Sequence, residues 1–189
     1  LRNYPETLIS VDTFRSSIAR KAYEEGASMI NDISGGQIDD NMFKTISEIK
    51  LPYILMHMRG DPRTMNTLTT YDNLFKEMIN YFESRILELK SSGVNDIIID
   101  PGFGFAKSLD QNYELLKNLT YFEVLGYPLL VGLSRKSMIF KQLGVQPSEA
   151  LNGTIALNTV SLLKRASILR VHDIKEAKEV VNLVAKLKQ

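Results

Sequence analysis

Cysteine is absent from the 189 residues, which excludes a disulfide framework, a thiolate nucleophile and any Cys-ligated metal, and fits a reducing cytosol. Histidine is nearly as scarce: His57 and His172 are the whole supply, too few for a His-rich zinc site. Neither sign of charge is in excess. With 23 Lys plus Arg against 22 Asp plus Glu, a formal net charge of +1, no overall field draws the chain to nucleic acid or lipid, so any anion site must be built locally. No apolar run is long enough to span a bilayer, and Leu1 to Pro5 lack the basic-then-apolar layout of a signal peptide. No G-x-G-x-x-G follows the first strand, which weakens a dinucleotide-binding reading. The expectation is a soluble, cytoplasmic protein forming one domain over residues 1–189, long enough to bury a substantial core.

What is present is a repeated alternation of short apolar runs and stretches with helical spacing. The first run, Leu8-Ile9-Ser10-Val11, ends at Asp12-Thr13, and Ile18, Ala19, Ala22 and Tyr23 then fall on one helical face before Gly26. Ser28-Met29-Ile30 ends at Asn31-Asp32, and a turn at Ile33 to Gly36 leads into a helix with Met42, Phe43, Ile46 and Ile49 inward. The third strand, Pro52 to Met58, precedes a polar loop from Arg59 to Thr70 whose Gly60, Pro62 and Asn66 argue against regular structure. Leu74, Met78, Phe82, Ile86 and Leu89 mark a long amphipathic helix from Asp72 to Ser92, stopped by Gly93. Ile97-Ile98-Ile99-Asp100 is the fourth strand, and Pro101-Gly102-Phe103-Gly104-Phe105 lifts the backbone off its end. Asp110 is then expected to cap a helix carrying Tyr113, Leu115, Leu116 and Leu119, with Tyr121 to Gly126 irregular or a short turn. Pro128 to Leu133 is the fifth strand, and Ser134-Arg135-Lys136-Ser137 opens a helix with Met138, Ile139 and Leu143. Pro147 starts another helix that continues to about Lys164. Ile168 to Val171 is the sixth strand, and the last helix, Ile174 to Leu187, places Ala177, Val180, Val181, Val184 and Leu187 on one stripe.

Six strands alternating with helices specify an α/β protein with a parallel sheet, either open and doubly wound or closed as a barrel, and the pattern alone does not separate the two. A (β/α)8 barrel needs two more units and typically ~250 residues. In both architectures ligands bind at the carboxyl ends of the strands, and nearly every strand here ends in a polar group. Asp12, Asn31 and Asp100 offer acceptors and one amide, suited to a neutral heterocycle with neighbouring N–H groups or, as oxygen donors, to a magnesium ion; singly, each could equally be a turn cap. Arg170 and His172, two apart, are expected to project to one face and converge on a phosphate or diphosphate; the alternative pairs Arg170 with Asp173 and satisfies His172 from the backbone. Ser134 to Ser137 is either an anion-receiving helix start or an ordinary polar one. His57, between two methionines, reads better as a satisfied core histidine than as a base. Met58 could touch a flat ring or simply pack, and Phe103 and Phe105 could stack on an aromatic ligand or pin the glycine turn.

Taken together, Ile9-Ser10-Val11-Asp12-Thr13, Ile30-Asn31-Asp32-Ile33, Leu55-Met56-His57-Met58-Arg59-Gly60, Asp100-Pro101-Gly102-Phe103-Gly104-Phe105, Gly132-Leu133-Ser134-Arg135-Lys136-Ser137 and Arg170-Val171-His172-Asp173 resemble the dihydropteroate synthases, folate-pathway enzymes and sulfonamide targets of the pterin-binding superfamily. The resemblance favours the (β/α)8 TIM barrel, with this chain supplying about six βα units, strands three to eight. It implies condensation of 4-aminobenzoate with 6-hydroxymethyl-7,8-dihydropterin diphosphate to 7,8-dihydropteroate and diphosphate, with Mg2+ on the leaving group and a homodimer as the common assembly. By the same resemblance Asp100 and Asn31 hold the pterin, Asp12, Lys136 and Met58 complete its cradle, Arg170 and His172 hold the diphosphate, and Phe105, the Lys136 stem and Ser137 receive the 4-aminobenzoate. Asp100, Lys136, Arg170 and His172 would be the catalytic set. The family's first strand, whose asparagine contributes to the magnesium site, and its two mobile N-terminal loops have no match here, so no metal ligand is expected in these residues and the chain alone is expected to be an inactive, N-terminally incomplete barrel. Two rivals remain, a pterin-dependent methyltransferase of the same superfamily, disfavoured by Arg170, His172 and the SRKS stretch, and a non-catalytic pterin-binding module.

Overall fold

The computed structural model describes residues 6–187, so Leu1 to Pro5, considered above as a leader, lie outside the described residues. Six short strands appear in chain order: β1 (Ser10–Asp12), β2 (Met29–Asp32), β3 (Tyr53–Met56), β4 (Ile97–Asp100), β5 (Leu130–Val131) and β6 (Ile168–Leu169). Every pairing is parallel and joins neighbours in sequence, β1 with β2, β2 with β3, β3 with β4 and β5 with β6. An isolated bridge between Ile99 and Leu129 connects the two groups. A doubly wound sheet reverses its strand order at a switch point. No reversal occurs among the described strands, so that rival is set aside. β3, β5 and β6 end at Met56, Val131 and Leu169, earlier than their apolar runs suggest, while β1, β2 and β4 extend to Asp12, Asp32 and Asp100.

Seven α-helices occur among the described residues, six in the crossovers and the last after β6: α1 (Ser16–Glu24), α2 (Met42–Ile49), α3 (Leu74–Ser91), α4 (Leu109–Lys117), α5 (Ser137–Leu143), α6 (Leu151–Leu163) and α7 (Ile174–Leu187). The main core lies between the strands and the helix layer. There Met42, Phe43 and Ile46 of α2 and Met78, Phe82 and Leu89 of α3 are buried with Tyr53, Leu55 and Ile99, and edge-to-face aromatic pairs such as Phe43 with Tyr53 and Phe82 with Phe122, both at 5.8 Å, fix the layer spacing.

Several local expectations change. Ser108, not Asp110, caps α4: its Oγ accepts from Gln111 N at 3.2 Å while Gln111 Oε1 accepts from Ser108 N at 2.8 Å. This reciprocal box leaves Asp110 as an acid in the first turn. Leu119 belongs to a 3-10 helix, Leu119–Leu125, closed by Gly126 at φ 72°, in place of a short turn. The single helix expected from Pro147 is two pieces, a 3-10 turn Pro147–Glu149 and then α6. The polar loop after β3 contains one 3-10 turn, Met65–Thr67. The apolar stripes are also narrower than the sequence suggests: Ile18 and Tyr23 of α1, Leu143 of α5, and Val181 and Leu187 of α7 are exposed, while Ala19, Ala177, Val180 and Val184 are buried. A helix resting on strands buries the residues nearest the contact line and leaves the flanks of its stripe to solvent or to a further surface.

Candidate active site

The carboxyl ends of the strands bring most of the expected polar residues into one neighbourhood, divided into two linked clusters. The first lies across β1, β2 and β6. Asn31 Nδ2 donates to Asp12 Oδ1 at 2.8 Å, and Arg170 Nη2 donates to Asp12 Oδ2. Asn31 is 3% exposed, and its Oδ1 is buried with no donor. A buried acceptor left unpaired is costly, so this amide is set up for a ligand N–H. Asp12, Asn31 and Arg170 line one end of a cavity of about 620 Å³ whose walls include Val11, Ile54 and Leu169.

The second cluster is built on the β4–α4 loop. Asp100 is buried, and its Oδ1 accepts from Gly102 N at 2.8 Å. Burial pushes its carboxyl up; the Lys136 ammonium, the Gly102 N–H, Lys107 and Arg170 each pull it back down. Lys136, the residue before α5, donates to Phe103 O and sets its Nζ 4.5 Å from the Phe105 ring centroid, a cation–π contact. Burial lowers Lys136 to about 8, with Asp100 acting in the opposite sense and Arg170 adding to the lowering. The large cavity touches the first cluster and not Asp100 or Lys136, yet Arg170 acts electrostatically on both Asp100 and Lys136, so the clusters form one charged rim.

Other expectations are corrected by this geometry. Arg170 and His172 do not converge on one point: β6 ends at Leu169, so strand alternation no longer governs them. Arg170 turns to Asp12, and His172 places Nδ1 3.0 Å from Ser134 Oγ. The alternative partner for Arg170 is wrong as well, because Asp173 is held by Arg135 through two contacts, Nε to Oδ2 at 3.0 Å and Nη2 to Oδ1 at 2.7 Å. Arg135 also donates to Pro147 O and Ser148 O, at φ 55°, tying the loop after β5 to the residues after β6. Ser137 is the first residue of α5, a helix of seven residues. Met58 is 1% exposed and packs in the interior, and Phe103 is wholly buried, pinning the turn. His57 is a buried core histidine, held well below its usual range by desolvation and then by Lys107 and Arg59.

Two features escaped the reading of residues. Lys107 is 7% exposed beneath the loop, where a lysine before a helix cap would ordinarily be solvated. Arg59 stacks on Tyr71 at 3.7 Å and pairs with Glu77, while Tyr71 OH donates to Ala106 O at 2.8 Å, so the loop after β3 is fastened to the loop after β4. Neither has a local sequence signal, because each depends on a residue far along the chain: Lys107 on His57, and the Arg59 stretch on Glu77 of α3 and, through Tyr71, on Ala106.

Sequential parallel strands whose carboxyl ends gather acids, a spare amide acceptor and cations define an α/β protein with a polar cluster at the end of the sheet where such folds bind their ligands. A family model described as pterin binding enzyme matches residues 1–172. The dihydropteroate synthase of Escherichia coli (strain K12) is 41% identical over 181 residues, covering 95% of this chain and 64% of that protein; the chain thus spans less than two thirds of that relative. A structure of the Yersinia pestis dihydropteroate synthase with a sulfonamide drug complex matches at a TM-score of 0.93 and 35% identity, covering 97% of this chain and 67% of that one. The dihydropteroate synthase of Thermus thermophilus in complex with 4-aminobenzoate matches at a TM-score of 0.92 and 34% identity, covering 97% of this chain and 75% of that one. The chain belongs to the pterin binding enzyme family.

Proposed function

We propose that these residues carry the pterin and diphosphate sites of a dihydropteroate synthase, within a (β/α)8 barrel to which they contribute about six units. The observation that supports this most is the unpaired buried Oδ1 of Asn31 beside Asp12: an aminopyrimidine edge carries the N–H groups that such acceptors lack. Asp100 is the second acceptor, and Lys136 completes the cradle.

In this reading Arg170 leaves Asp12 for the diphosphate, and His172 adds a donor. Neutralising the leaving group lets the C–O bond of the dihydropterin methylene ionise, the electron pair departing with diphosphate. The amine of 4-aminobenzoate then attacks the cationic methylene and loses its proton to solvent, so no protein nucleophile is required. With the pterin edge on Asp100, its carboxylate would face the positive charge that develops on the ring and methylene, and so favour the transition state over the neutral ground state. Phe105, the Lys136 stem and Ser137 receive the 4-aminobenzoate. Met58 acts by packing behind the ring. Mg2+ belongs to the same reading, but among the described residues no three His, Cys, Asp or Glu side chains gather. The donors of the described residues therefore do not form a cage, and diphosphate oxygens and water would carry the ion. A homodimer through the later helices fits the exposure of Leu163, Ile174 and Leu183. A cytoplasmic location accords with the lack, among the described residues, of any helix long and apolar enough to cross a membrane.

The test is calorimetry of 6-hydroxymethyl-7,8-dihydropterin diphosphate together with an assay for dihydropteroate. Binding is expected; turnover is expected to be weak, because β1 and β6 each lack a partner on their outer side among the described strands. Asp100→Asn should lose roughly tenfold or more in affinity as one charge-assisted acceptor is removed. Unchanged affinity would remove Asp100 from the site.

A further inference from the structure

Among the described residues Lys107 is a deeply buried cation that the proposed chemistry leaves unused. Its Nζ lies 3.1 Å from Gly102 O, 3.0 Å from Phe105 O and 3.1 Å from His57 Nδ1. Three acceptors match the three N–H donors of an ammonium, whereas a neutral amine has two. An ammonium has no acceptor to offer, so the His57 Nδ1 facing it must be the acceptor, which places the ring proton on Nε2. On the opposite side of the same loop Lys136 donates to Phe103 O. Three carbonyls of the Gly102 to Phe105 turn are thus held by two lysines, one from the rim and one from below. Between them Ala106 takes φ 49° and gives its carbonyl to Tyr71 OH, so the loop's shape is set by these contacts and not by backbone preference.

We infer that Lys107 is a positioning residue of the pterin slot: it holds the β4–α4 loop from below through Gly102, the residue whose N–H also binds Asp100, and sets a positive charge near that acid without touching ligand. The inference rests on the pterin-binding reading for its consequence, though not for its electrostatics. The charged and titratable groups around Lys107 are Asp100 at the end of β4, Lys136 before α5, Arg59 and Tyr71 in the loop after β3, and His57 at the end of β3. Burial lowers the lysine to about 7, Asp100 opposes that lowering, and Lys136 and Arg59 add to it. The acid and the lysine therefore stabilise one another's charge inside a region that would otherwise disfavour both.

The test is an NMR titration of the Asp100 carboxyl carbon in the full, ligand-free chain, with calorimetry of 6-hydroxymethyl-7,8-dihydropterin alongside. In Lys107→Met, Asp100 is expected to titrate at higher pH than in the wild type, and pterin affinity near neutral pH to fall roughly tenfold. Lys107→Arg keeps the charge and loses the fit, so it should weaken pterin binding without raising the Asp100 midpoint. Folded variants that both leave the Asp100 curve unchanged, or both raise it, would overturn the inference, because a purely structural loss does not follow charge. If neither variant folds, the wild type decides: the Asp100 signal should show a second inflection where Lys107 releases its proton, and a single-step curve would overturn the inference. Wild-type chain that fails to bind the pterin while Asp100 still follows the Lys107 charge would sink the proposed function and leave this inference standing.

Discussion

Gly102 and Ala106 stand four residues apart, both in the left-handed region, at φ 70° and 49°, yet they call for opposite substitutions. A Cβ on Gly102 would lie 2.2 Å from the His57 carbonyl oxygen, a backbone atom that cannot swing aside. Gly102→Ala is therefore expected to destabilise the chain by more than about 2 kcal/mol in urea unfolding. Ala106→Gly relieves a strained alanine and should be neutral or stabilising by up to about 1 kcal/mol in the same measurement. The glycine turn was legible in the sequence as a turn. Which of its positions touches a neighbouring strand was not, since the His57 carbonyl is 45 residues away in the chain.

At the scale of elements, α4 separates local rules from local appearances. The stretch Lys107-Ser108-Leu109-Asp110 holds two good capping residues, and the side chain that reaches a free backbone N–H is Ser108, because Gln111 answers it from three residues on. Ser108→Ala is expected to cost about 1 kcal/mol and Asp110→Ala roughly a few tenths, measured by thermal unfolding. The order reversed would restore Asp110 as the cap. The inward residues of α2 and α3 were readable from spacing because a long buried contact line imposes its period on the sequence. In α1 and α7 the spacing overstates the buried face, because part of each apolar stripe overhangs the contact line. The strand-end residues were likewise readable as a set. Their pairings were not: Arg170 with Asp12 and Arg135 with Asp173 join residues 158 and 38 apart.

For the whole molecule, the buried Lys107 and the half-buried Lys136 make folding stability depend on pH. In the unfolded chain both keep their protons up to the ordinary value of 10.5, whereas in the fold they release them near 7 and 8. Between those limits the unfolded state binds more protons, so stability rises with pH, each lysine adding at most about 1.4 kcal/mol per pH unit. Above about pH 10 the gain reverses: the buried hydroxyls of Tyr53 and Tyr81 are held above their usual value, and the unfolded chain ionises first. Urea midpoints measured from about pH 6 to 11 should climb from near 7, peak around 9 to 10 and fall. Lys107→Met should flatten the climb whatever its absolute stability, and a profile of unchanged slope would show that Lys107 does not titrate in this range.

The amino-acid sequence by itself determined the alternation of strand and helix, the parallel sheet, the carboxyl-end placement of Asp12, Asn31, Asp100, Lys136 and Arg170, and the family resemblance. These follow from patterns with a short period or from motifs contained in a few consecutive residues. Tertiary structure alone decided the sequential strand order, the Asp12 to Arg170 pairing, the separation of Arg170 from His172, and the burial of Lys107. Each of these depends on which distant groups share a low-dielectric space, and a charge or an acceptor changes its meaning only when its neighbours there are known.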